Sequence, residues 1–517
     1  MNHDTVEHFA KIYRNQFAFT NRIADYVFYI SNDSQLKDSM QERKLPSIPI
    51  ALLPIAVLVV MALVSISFWD IGMLIPLMTA VTIALLVGKG LGYSWNELET
   101  SLAQGVNRAL PAVFILFLIG TIIGTWIEGG LIPTIIYYGL QLISPQFFLA
   151  LACLVPAVVS LVLGSSLTTI ATVGIAFMAI GEGMGFPPAI VAGAVISGAF
   201  FGDKLSPLSD TTNLAAAMGG VKLFSHIRHM LWDTVPALVI SAAIFGFIGS
   251  SMSANSSTDT SDLTALTSGL NEQFVIHPAL LIVPVLALGL MFLKLPALPT
   301  LLLVSLLGAA SALLVQGSTV TDILQSMTSG YSSATGVDFL DSLLSRGGIE
   351  AILSTIALVI VATALGGVLE ATGTFKTLIG TLVKRIKRPG SMVAGSLGAG
   401  FVVAFASGEQ YVSVLLPARA FLTPYQKMGL SPLNLTRTAE ATGTVGINLV
   451  PWSVPAVFAS GVFGMAATEF IPFIFFAILV PLINLIYAYT GFTIKRTSPS
   501  DEVAQEAPEK ELTGQGK

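Results

Sequence analysis

Residues 164–209 and 408–453 are faint copies of each other at a constant offset of 244 positions. Gly164 matches Gly408, Gly202 matches Gly446, Leu205 matches Leu449, Pro207 matches Pro451 and Ser209 matches Ser453. Upstream, Thr121, Gly124 and Glu128 recur as Thr363, Gly366 and Glu370, and Ser101 and Gly105 recur as Ser326 and Gly330. Both copies set Gly, Pro, hydroxyl and charged residues inside long apolar runs. A duplicated unit of interrupted apolar helices is the pattern of a secondary transporter, whose polar site lies where the two halves meet.

Composition agrees with a chain that lives in lipid. It is 54% hydrophobic and 11% charged, against about 25% charged residues in a soluble protein. A net charge of −5 and the absence of a basic, aromatic-rich patch argue against nucleic-acid binding. The single cysteine, Cys153, cannot form an intrachain disulfide and reads as an inert buried thiol. No metal-ligand cluster, nucleotide loop or nucleophile–base pair is apparent. The expectation is therefore no cofactor, no enzymatic activity and an ion gradient as the energy source.

Full-length apolar runs fall near 48–68, 71–88, 110–128, 187–220, 231–250, 277–294, 297–315, 351–370, 432–465 and 470–491, against the ~20 residues a helix needs to cross a bilayer. Two further stretches, 147–186 and 391–426, are broken at their middles and read as re-entrant hairpins, with two full spans apiece as the alternative of the same parity. The expected fold is an all-α polytopic membrane protein of two inverted repeats, each with five spans, one of them broken, plus a hairpin. The expected domains are an N-terminal arm at 1–46, repeats at 47–250 and 277–491, an external linker at 251–276 and a tail at 492–517. The arm carries Phe9, Ile12, Tyr13 and Phe17 at amphipathic spacing and does not follow a signal-peptide plan.

Basic residues orient the chain. All of its 25 Lys and Arg residues except Lys204, Arg346, Arg419 and Arg437 fall on one set of connections, together with both termini. By the positive-inside rule that set is cytoplasmic, and Arg346 is the lone basic residue on the outside connections. An odd number of spans per repeat then inserts the second copy upside down.

The densest polar cluster runs from Gly202 through Asn213 inside an otherwise apolar span. Pro207 cannot continue a helix, so the chain is expected to unwind there and free its carbonyl oxygens. With Asp203, Asp210, Ser206, Ser209, Thr211, Thr212 and Asn213, these are hard oxygen ligands suited to Na⁺. An extramembrane loop is the competing reading, but charge inside a membrane is costly and usually functional. Lys204 needs a partner at this depth, with Asp203 or Asp210 as candidates; the pair could couple proton release to Na⁺ arrival or be a permanent pin. Ser165, Ser166 and Thr168 at the first hairpin tip could complete the site. In the second copy Glu409, Gln410, Glu440, Asn448 and Ser453 are the corresponding candidates. Arg437 could offset one of the glutamates as a structural salt bridge.

The run from Gly198 to Ala215, and then His226, Gln410-Tyr411, Leu416-Pro417, Gly443-Thr444 and Pro451-Trp452, closely resembles the NhaC-type Na⁺/H⁺ antiporter family. The resemblance covers roughly residues 48–490. It implies Na⁺ and H⁺ as transported ions, a bacterial cytoplasmic-membrane location, a homodimer and elevator-like movement. The family also includes malate and lactate exchangers, so a coupled carrier of a small organic anion or amino acid is the alternative.

Overall fold

The computed structural model describes residues 44–69, 71–255, 260–293, 295–334 and 338–497. The chain divides into Met1–Leu45, of which only Lys44 and Leu45 are described, and the body Pro46–Lys517. The proposed amphipathic arm and most of the tail therefore lie outside the described residues. Within the body the fold is all-helical, with one isolated bridge between Leu430 and Arg496 and no strand among the described residues. Eight helices are long and apolar enough to cross a membrane, or up to eleven if each bent pair is one span. The chain is a polytopic membrane protein.

The first half comprises α1 (Ile48–Val64), α2 (Leu74–Gly90), α3 (Trp95–Glu128), α4 (Leu131–Leu142), α5 (Pro145–Leu163), α6 (Ser166–Gly183), α7 (Pro188–Leu205), α8 (Asp210–Met218) and α9 (Leu223–Asn255). After α10 (Thr260–Gln273) come α11 (Ile282–Phe292), α12 (Ala297–Ser311), α13 (Val320–Thr328), α14 (Asp338–Leu344) and α15 (Leu353–Ala371). The chain ends with α16 (Thr374–Arg385), α17 (Pro389–Ser407), α18 (Gln410–Lys427), α19 (Pro432–Glu440), α20 (Val454–Phe463), α21 (Ala467–Phe470) and α22 (Phe475–Thr490).

The sequence repeat reappears as a repeat of helix boundaries. Both α5 and α17 open on a proline, run for 19 residues and end on a left-handed glycine, Gly164 at φ 72° and Gly408 at φ 64°. Proline suits the first helical position because its missing N–H has no partner there, and glycine adopts the left-handed cap without strain. Capping boxes also correspond: Ser94 with Glu97 opens α3, and Thr319 with Asp322 opens α13. The copies differ in how this helix is built. In the first, α3 is a single helix of 34 residues, whereas in the second its counterpart is divided between α13 and α15.

Three expectations need correction. The run 110–128 is the second half of the longer α3, so Arg108 lies within that helix and pairs with Glu370 on α15 at 2.5 Å. The polar segment at 202–213 is only partly unwound. Helix α7 continues through Leu205 and α8 starts at Asp210, because Pro207 removes a backbone donor and restricts the residue before it. The second copy stops two residues before Pro451 in the same way, with a π segment at Ala441–Val445 and a 3₁₀ turn at Gly446–Leu449. Finally, α4 and α16 went unforeseen; at 12 residues each they are too short to register as spans.

The returning arm of the first hairpin lies at the core, whereas its outgoing arm α5 has only 39% of its apolar window buried. Of the apolar window of α6, 83% is buried inside the protein, against 22% for α9. Helices α5 and α7 run side by side in the same direction, Gly198 meeting Cys153 and Gly202 meeting Ala157 and Leu161. The hairpin tip therefore arrives level with the break between α7 and α8, and Gly164 touches Leu208 and Ser209. Gly408 likewise abuts Trp452 and Ser453, and the Val454 N–H donates to the Gly408 carbonyl at 2.7 Å.

Candidate ion-binding centre

Asp203 occupies the last turn of α7 and is buried. Its Oδ2 accepts the Ser166 backbone N–H at 3.1 Å and the Ser166 hydroxyl at 2.5 Å. Ser166 is the first residue of α6, and Ser165 caps that helix by accepting the Thr168 N–H. An anion at a helix N-terminus is favoured by the unpaired N–H groups and by the helix dipole. The hairpin tip and the broken span are thus joined through one carboxylate.

Hydroxyls and carbonyls cluster beside it. Thr212 donates to the Lys204 carbonyl at 3.1 Å, which satisfies a backbone acceptor released where α7 ends. Ser209 and Thr211 are bonded to each other through their hydroxyls at 3.1 Å, and Ser206 accepts the Leu208 N–H. Asn213 ties the break together by donating to the Ser209 and Pro207 carbonyls. The sequence-derived set Ser165, Ser166, Thr168, Asp203, Ser206, Ser209, Thr211, Thr212 and Asn213 is therefore gathered around one tip and one break.

Asp210 goes elsewhere. It starts α8, and its carboxylate accepts the Tyr411 hydroxyl at 3.2 Å. Tyr411 belongs to α18, the returning arm of the second hairpin, so this bond crosses between the halves. Ala215 of α8 packs with Val414 and Ala418 of α18, while Gly174 of α6 faces Phe463 of α20. The far piece of each broken span rests on the other half's hairpin.

Lys204 is paired with neither predicted carboxylate. Its Nζ meets Asp233 Oδ2 at 2.6 Å, and both side chains are fully buried. Asn484 donates to the same oxygen at 2.5 Å, and Arg437 Nε donates to the Asn484 Oδ1 at 3.0 Å. Arg437 also reaches Thr493 at 2.9 Å and lies 5.7 Å from the Tyr487 ring centre. Among the described residues it has no carboxylate within ion-pair distance, so the expected salt bridge to Glu409 or Glu440 is absent. Asp233 and Asn484 were missed from the sequence. A lone carboxylate in the span 231–250 was the available signal, because buried charge demands a partner.

The second centre is sparser. Glu409 caps α18 by accepting the Val412 N–H at 2.7 Å, the role Ser165 plays in the first copy. Gln410 and Asn448 both donate to the Thr444 carbonyl, and Ser453 caps α20. Glu440 is fully buried, yet both its carboxylate oxygens and the Thr444 hydroxyl have no hydrogen-bond partner. His226 and His229 are buried on α9, bonded to Thr436 and Asn434 of α19.

Residues 198–492 match the Na⁺/H⁺ antiporter family. The protein named Na(+)/H(+) antiporter NhaC from Alkalihalophilus pseudofirmus is 38% identical over 423 residues, which is 81% of this chain and 90% of that protein. The Malate-2H(+)/Na(+)-lactate antiporter of Bacillus subtilis is 36% identical over 87% of this chain and 96% of its own length. The Arginine/ornithine antiporter ArcD of Halobacterium salinarum is 33% identical over 91% of this chain and 97% of its own length.

Proposed function

Because the chain belongs to the Na⁺/H⁺ antiporter family, we propose that it expels cytoplasmic Na⁺ in exchange for external H⁺ by alternating access, with Asp203 as the exchange carboxylate. The observation that carries this reading is the double contact of Ser166 with Asp203, which links the charge state of the carboxylate to the position of the hairpin tip. A proton and a Na⁺ ion compete for the same oxygens. When Na⁺ arrives, the carboxylate and neighbouring hydroxyls replace its hydration shell, and the proton leaves. When Na⁺ departs, a proton neutralises the buried charge.

Glu440, buried with unpaired oxygens, is assigned as a second carboxylate of the exchange path. The antiparallel packing of α3 on α15 supports inverted halves. Rising positions on α3 meet falling positions on the partner, with Ser101 and Gly105 against Gly367, and Gly105 against Thr363. The basic-residue asymmetry supports cytoplasmic termini in a bacterial cytoplasmic membrane, and the family resemblance supports a homodimer. The organic-ion relatives support a second reading, in which ion flow drives a small organic anion or amino acid.

Reconstitution into proteoliposomes tests the leading reading. With a pH gradient imposed, Na⁺ should collapse it in the wild type, whereas K⁺, malate and lactate should not. Asp203→Asn should slow the Na⁺ response about 100-fold, because losing a charged ligand costs about 3 kcal/mol. A purified, folded Asp203→Asn protein with near-normal exchange would remove this carboxylate from the ion site.

A further inference from the structure

A cavity of about 700 Å³, separate from the Asp203 centre, opens between α6, α20 and the connection that precedes α15. Its nearest residue on α6 to the tip, Ile175, is nine positions from Ser166, or about 14 Å along the helix. Two charged side chains of opposite sign line it, Arg346 and Glu469, and they do not form an ion pair with each other. Thr355 and Ser460 supply hydroxyls, and Ile175 and Phe463 supply apolar wall.

Arg346 is held in place. The Gly348 N–H donates to the Gly120 carbonyl at 2.8 Å, which fastens its loop to α3, and the Arg346 carbonyl accepts the N–H of Tyr331, beyond the end of α13, at 3.1 Å. Behind the guanidinium, Glu182 accepts from Nη1 at 3.0 Å and from Nη2 at 2.7 Å. That fork uses two of the five donors of an arginine, and the side chain is 40% exposed. Glu182 takes this guanidinium end-on through both Nη atoms, and donors remain for another carboxylate.

We propose that this cavity binds an α-amino acid, with its carboxylate on Arg346 and an ammonium group on Glu469. Charge decides between ligand classes. Arg346, Glu182 and Glu469 together leave one negative charge in excess, so a simple carboxylate deepens the imbalance. A zwitterion leaves it unchanged while pairing both lining charges, and a diamino acid neutralises it. The expected order is therefore ornithine, then alanine, then lactate. The site is independent of the Na⁺ reading, since none of its residues belongs to the Asp203 centre.

Binding of radiolabelled ornithine, alanine and lactate to the purified full chain tests this. Ornithine and alanine should bind, and lactate should bind about tenfold more weakly or worse, because it lacks the charge-assisted contact to Glu469. Arg346→Gln should weaken both amino acids at least about tenfold, with Arg346→Lys intermediate because it keeps the charge without the fork. Glu469→Gln should weaken ornithine and erase its advantage over lactate. Asp203→Asn should leave amino-acid affinity intact even where Na⁺ exchange fails. Absence of amino-acid binding, equal binding of lactate, or loss of binding in folded Asp203→Asn protein would each overturn the assignment.

Discussion

Asp203 and Lys204 are neighbours in sequence but face different partners, because successive residues on an α-helix point about 100° apart. Asp203 turns to the hairpin tip, and Lys204 turns to Asp233 on α9. The lysine is thus better placed as a pin between α7 and α9 than as a competitor for Na⁺. Removing one member of a buried pair leaves the other charge unpaired, at about 3–5 kcal/mol, whereas replacing both with apolar residues is often neutral. Lys204→Ala should therefore lower the thermal midpoint in detergent strongly, and Lys204→Met with Asp233→Leu should recover most of that loss. If the double variant also keeps wild-type pH dependence of exchange, the pair is structural; an altered profile with normal stability would return Lys204 to the coupling path. The sequence identified the buried lysine and its need for a carboxylate. It could not identify Asp233, which lies 29 positions away on a helix whose rotation depends on packing.

At the scale of elements, the tips meet the breaks because each outgoing hairpin arm runs parallel to the first piece of its broken span. Gly198 and Gly202, four residues apart, let α5 and α7 approach closely, as small residues do between membrane helices. A Cβ at Gly198 would lie 1.9 Å from the Cys153 carbonyl oxygen, a backbone atom that cannot yield. Gly198→Val should therefore push α5 away, displace Ser166 from Asp203 and abolish exchange together with stability. A folded Gly198→Val protein with normal Na⁺ affinity would show that tip register does not depend on this crossing. Much of this level was legible: Pro207 and Pro451 marked the breaks, and Gly164 and Gly408 marked the tips. Asp210 was less so. Seven residues from Asp203, it would share that residue's face on an unbroken helix, but the break erases the register and sends it to Tyr411. Helices α4 and α16 carry no span signature because neither is long enough to cross a bilayer.

For the whole molecule, the central question is whether the matching halves sit in opposite senses across the membrane. A two-fold axis across the helix direction would pack equivalent helices antiparallel, as α3 packs on α15. Such a relation lets one chain adopt two similar shapes, each open to a different side. The capping boxes provide a matched pair of reporters. Asn96 follows the Ser94 cap of α3, and Thr321 follows the Thr319 cap of α13; both are exposed. The native thiol, Cys153, is buried, so each position can be probed as an added cysteine against a low background. With inverted halves, Asn96→Cys should react with a membrane-impermeant maleimide only in inside-out vesicles, and Thr321→Cys only in right-side-out ones. Labelling of both from the same side would put the halves in the same sense, and alternating access by exchange of their shapes would fall with it.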